Sequence, residues 1–180
     1  MSVPVDIILI VIAFTQNVIA KKLRYKMPRV TKIETLYKNE QPTISVRTRT
    51  SVDKLPILIG ETYAKLEAYL KEVGGHMSDI PFVAYHNMDM QNLDVEIGFP
   101  VSEKLASKED IQSATIPAGK VIFCIFRGAY NEIESTYAEM AKWIEDNGLT
   151  PTGTAYEYYY NSPNDFPMDE MLTMIVMPIA

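Results

Sequence analysis

An internal repeat constrains this chain more than any other feature. Thr62-Tyr63-Ala64-Lys65-Leu66 returns as Thr136-Tyr137-Ala138-Glu139-Met140. The same offset pairs Tyr69 with Trp143, Leu70 with Ile144, Gly74 with Gly148, Tyr85 with Tyr159 and Asn87 with Asn161. A short insertion then enters the second copy, and Phe99-Pro100-Val101 matches Met177-Pro178-Ile179. Two copies of one supersecondary unit, joined in tandem, therefore build the domain.

Each copy reads as strand, helix, strand, strand. In the second, Lys120–Phe126 (KVIFCIF) has the β-branched and aromatic content of a strand. A helix follows, with Asn131 as expected N-cap and Glu134 at capping-box spacing. Its apolar stripe is Ile133, Tyr137, Met140 and Ile144, and Gly148 stops it. The first-copy helix carries Ile59, Tyr63, Leu66, Leu70 and Val73 on one stripe and ends at Gly74-Gly75. Hairpins then close the copies, 82–87 with 94–101 and 155–161 with 171–179. The expected fold is α+β: two pseudo-symmetric copies forming one antiparallel sheet, helices on one face and a ligand groove on the other. Residues 27–180 are expected to fold as this domain, with repeat one at about 43–101, a linker at 102–118 and repeat two at about 119–180.

The 180 residues carry a net charge of −6, which excludes a general phosphate-neutralising surface, so no direct nucleic-acid binding is expected. One cysteine, Cys124, forms no internal disulfide and no Cys-rich zinc site, and two histidines, His76 and His86, argue against a His-based metal site; carboxylate sites stay open, and no metal or cofactor is expected. Cys124 reads as a buried strand residue, and the setting as reduced and cytoplasmic.

Residues 1–26 differ from the rest. Lys21, Lys22, Arg24 and Lys26 face a single acid, Asp6, and follow the run VPVDIILIVIAFTQNVIA from Val3 to Ala20. Three readings stand: an extra packed helix, a membrane anchor interrupted by Asp6, Gln16 and Asn17, or a signal segment with its charges on the unusual side. Contact with a membrane is expected only if residues 3–20 act as an anchor. The repeat is complete without this segment, and no helix-turn-helix length precedes Met27, so a complete transcription factor is not expected.

Strand alternation assigns faces. Val95, Ile97, Phe99 and Val101 should cover the helices, leaving Asp94, Glu96 and Gly98 to the groove; Leu172, Met174 and Val176 form its other half. In Tyr156-Glu157-Tyr158-Tyr159-Tyr160, an unpaired glutamate under the helices would cost several kcal/mol. That places Glu157 and Tyr159 in the groove with Tyr85, Glu96 and Met174, and His86 on the helix side. Trp143, the repeat mate of Tyr69, is either a ligand wall or helix packing. A partly desolvated carboxylate among tyrosines favours a cation; raised toward neutrality, it also serves as a general base or acid.

The order PAGK, RGAY, WIEDNGL, Glu157-x-Tyr159, Pro163, Pro167 and Thr173-x-Ile175 resembles the GyrI-like small-molecule-binding family, and LPILIGETYAKLEAYL, PFVAYHN and DVEIGFPV fit the same family in the first copy. The resemblance spans about 28–180. It implies a stand-alone form of the effector-binding domain of MerR- and AraC-class multidrug regulators, binding bulky hydrophobic or cationic small molecules. Two alternatives come with it: a hydrolase of strained, cyclopropane-bearing toxins in which Glu157 and Tyr159 would be catalytic, and a protein-interaction module such as a gyrase inhibitor. The chain departs from the family pattern at Phe126-Arg127-Gly128-Ala129-Tyr130, where a histidine is common, and at Met174, where a glutamate is common.

Overall fold

A computed structural model describes residues 29–180; the apolar and basic segment 1–26 lies outside the described residues. The first copy holds β2 (Gln41–Thr50), helix α1 (Leu55–Val73), β3 (Phe82–Tyr85) and β4 (Leu93–Pro100). The second holds β6 (Gly119–Arg127), α2 (Glu134–Asp146), β7 (Ala155–Tyr159) and β8 (Leu172–Pro178). Two further strands, β1 (Glu34–Lys38) and β5 (Gln112–Ile116), precede the copies. All eight form one curled antiparallel sheet in the order β1-β6-β8-β7-β3-β4-β2-β5.

The repeat predicted from sequence is thus present, and its symmetry is visible in the register. Phe82 pairs with Tyr158, Val83 with Glu157 and Ala84 with Tyr156. Under the repeat equivalence, each pair exchanges into another, and Val83–Glu157 exchanges into itself. The pseudo-twofold axis therefore passes through that pair. The edge strands go beyond expectation. β1 opens the first copy but pairs with β6 of the second, and β5 opens the second but pairs with β2 of the first. The stretch 102–118 is accordingly more than a linker, because its second half completes the sheet.

Both helices end as their glycines dictate: Gly74 and Gly148 adopt φ of 68° and 63°, which only glycine enters without strain. The predicted stripes bury Leu66 and Leu70 on α1, and Met140 and Ile144 on α2; Val73 instead stays 44% exposed at the fraying end. Asn131 caps nothing. It lies in a 3₁₀ turn, Tyr130–Glu132, and Ile133 takes the N-cap position with no side-chain bond. Helix α1 covers Ile44, Phe99 and Val101, and α2 covers Ile122, Cys124 and Ile175. Val95, Ile97, Phe99 and Val101 do face the helices. On the opposite face, Phe82 crosses Gly98 so closely that a Cβ there would lie 2.5 Å from its Cζ.

Candidate functional site

The central pair β3–β7 lies where both helices contribute. From β7 comes Glu157, 6% exposed. Tyr137 of α2 donates its hydroxyl to Glu157 Oε1 at 2.7 Å. Tyr159, two residues along the strand, donates to Oε2 at 2.8 Å. Tyr85, from β3, lies 3.3 Å from Oε2 and 3.1 Å from the Tyr159 hydroxyl, so its proton serves either acceptor. Three neutral donors thus hold one carboxylate, and among the described residues it has no cationic partner.

Two more tyrosines complete the cluster. The Tyr130 ring meets Tyr159 edge-on, with centroids 5.6 Å apart. Tyr63 of α1 packs against Phe99 at 5.1 Å, and its buried hydroxyl has no partner among the described residues. Burial pushes the Glu157 carboxyl above its ordinary 4.5, against the pull of the Tyr137, Tyr159 and Tyr85 hydroxyls. Burial, then the Glu157 charge, pushes Tyr85, Tyr137 and Tyr159 well above 10.0, so they remain donors.

This arrangement corrects the face assignment made from sequence. Glu157, Tyr159 and Tyr85 do meet, but on the helix face, because Tyr85 and Tyr137 supply the partners that the burial argument assumed missing. Glu96 and Met174 lie on the opposite face. Ser45 donates to Glu96 at 2.6 Å and His86 approaches it at 3.4 Å, so His86 also faces away from the helices. Met174 packs with Tyr158 and Val176. Trp143 packs into the core under α2. Sequence reasoning missed Tyr63, Tyr130 and Tyr137 as site members. The available signal was a tyrosine at the same core-stripe position in both copies, since a buried phenol needs a polar partner.

Among the described residues no group of three or more His, Cys, Asp or Glu side chains gathers to hold a metal. No described helix is long and apolar enough to cross a membrane.

The duplicated strand-helix-strand-strand units, two helices on one curled antiparallel sheet, define an α+β fold of the GyrI-like kind. Residues 31–180 match the GyrI-like small molecule binding domain, and the chain belongs to that family. The chain is similar to the C-terminal domain of EcmrR, at 23% identity and a TM-score of 0.72, covering 84% of this chain and 98% of that one. EcmrR in its DNA complex gives 20% identity and a TM-score of 0.74, covering 97% of this chain and 66% of that protein. SAV2435 bound to tetraphenylphosphonium gives 12% and 0.62, covering 83% and 94%. A hydrolase encoded by lin2189 from Listeria innocua gives 15% and 0.62, covering 89% and 97%. At these identities the likeness is one of fold. No curated protein matches the chain.

Proposed function

We propose that the chain binds bulky lipophilic cations at the Glu157 site. The observation that carries this reading is a carboxylate 6% exposed, ringed by tyrosines and, among the described residues, without a cationic partner. Tyrosine hydroxyls stabilise the charge but do not neutralise it. A delocalised cation would bring positive charge at little desolvation cost, and each ring face adds on the order of 0.5–2 kcal/mol. That SAV2435 was solved with tetraphenylphosphonium agrees with this chemistry.

The test compares tetraphenylphosphonium with neutral triphenylphosphine oxide by calorimetry, on the full chain and on Glu157→Gln. The variant keeps the shape and removes the charge. It is expected to weaken the cation at least about tenfold, roughly 1.4 kcal/mol, and to leave the neutral compound nearly unchanged. Equal losses for both compounds would refute an electrostatic role.

A second reading rests on Tyr159, whose hydroxyl lies 2.8 Å from the same raised carboxylate. Such a pair has the parts of a general base and a donor for opening a strained electrophile. In that case Glu157→Gln abolishes turnover while neutral-substrate binding persists, because the lost interaction belongs to the transition state.

A further inference from the structure

Strand β7 has a second face. Side chains alternate along a strand, so Tyr156 and Tyr158 point away from the helices, where Tyr158 packs with Phe82, Ala84, Val121 and Val176. On that face a cavity of about 330 Å³ opens between the end of β1, the β5–β6 turn and the ends of β7 and β8. Ligand sites commonly run from about 300 to 1,000 Å³. Its apolar walls include Ile116, Val121 and Val176.

Two lysines line it, Lys120 exposed at its edge and Lys38 half-buried. Lys38 Nζ donates to the Tyr158 hydroxyl at 3.1 Å and sits 4.5 Å from the centre of that ring. Among the described residues no carboxylate forms an ion pair with Lys38. Asp79 influences it from longer range and is itself exposed. The β4 acids on this face are already engaged, Glu96 by Ser45 and His86 and Asp94 by Arg47 and Arg49. A half-buried ammonium whose acceptor among the described residues is a neutral phenol is under-compensated. An anion in the cavity would supply what it lacks, and the low surrounding dielectric would strengthen the pair.

We propose that this cavity is a second ligand site, selective for small aromatic anions such as arenecarboxylates. The carboxylate pairs with Lys38, and the flat body lies against the Tyr156 and Tyr158 rings. Thr154, also on the wall, has its hydroxyl 3.4 Å from His86 Nδ1. The two faces of β7 then have opposite preferences: Glu157 serves positive charge on one, and Lys38 serves negative charge on the other. This site does not depend on the cation reading.

Titration of the full chain with 2-naphthoate is expected to show one saturable site. Lys38→Met keeps the stem and removes the charge, and should weaken binding at least tenfold, which corresponds to about 1.4 kcal/mol. Gly119→Phe is a second block. A Cβ at Gly119 meets nothing within 4 Å, so the ring has room to enter the cavity mouth. It should abolish binding with Lys38 in place, and it carries the test should Lys38→Met fail to fold. Glu157→Gln should leave naphthoate affinity unchanged, so this outcome separates from that of the cation site. No saturable binding, full affinity in Gly119→Phe or a folded Lys38→Met, or displacement of naphthoate by tetraphenylphosphonium overturns the proposal.

Discussion

Tyr63 and Tyr137 occupy equivalent positions in the two copies, yet their hydroxyls meet opposite fates. Tyr137 donates to the buried carboxylate at 2.7 Å, whereas Tyr63 Oη is buried without a partner among the described residues. Replacing each with phenylalanine removes one oxygen from matched settings. A hydrogen bond to a charged group contributes about 1.5–3 kcal/mol, so Tyr137→Phe should cost about 2 kcal/mol at a pH where Glu157 is ionised. With a urea slope of about 2 kcal/mol per M, the unfolding midpoint falls by about 1 M. Tyr63→Phe deletes a desolvated group that gains nothing, and its midpoint should stay level or rise. Acid should narrow the gap, because the bond from Tyr137 weakens once Glu157 is protonated. Urea melts of wild type and both variants, at unchanged slope, measure this directly. A Tyr63→Phe loss as large as that of Tyr137→Phe would refute the assignment of the carboxylate to Tyr137.

Two further outcomes follow from burial. Because the folded-state pKa of Glu157 is raised above 4.5, protonation favours folding. That contribution is fully present below 4.5 and is lost as pH rises through the raised value. Glu157→Gln carries no charge at any pH, so its stability relative to wild type should grow from acid toward neutrality; a pH-independent difference in urea midpoints would contradict this. Cys124 is fully buried, its thiol raised to about 11 mainly by desolvation. Native protein should therefore resist iodoacetamide at neutral pH, and denatured protein should gain one adduct by mass spectrometry.

The repeat was legible because paired residues such as Tyr63 with Tyr137 and Gly74 with Gly148 do the same structural job twice. The edge strands were not. β1 reads ETLYK with most side chains exposed, and β5 reads QSATI. Neither shows a clean apolar alternation, since an edge strand is held largely by backbone bonds to one neighbour. The site was legible by composition and misread by face. Glu157, Tyr159 and Tyr85 were named, but the side of the sheet was decided by the cost of an unpaired carboxylate. What reverses that cost is Tyr137, which arrives from a helix twenty residues earlier and at sequence level looks like core. Partners supplied across elements are the part that local pattern does not carry.

The position of Glu157 on the pseudo-twofold axis limits how such a site could arise. In a symmetric dimer of single repeats, the residue on the axis faces its own copy, and directly opposed side chains in a strand pair lie about 4.5–5.5 Å apart. Two glutamates there would repel and could not both ionise readily. Two valines would leave no charge at all. Once both halves belong to one chain they can diverge and the axial pair can become unlike, as Val83 and Glu157 are. Fusion of the halves thus does more than raise their effective concentration: it permits a single, off-balance charge at the point of highest symmetry.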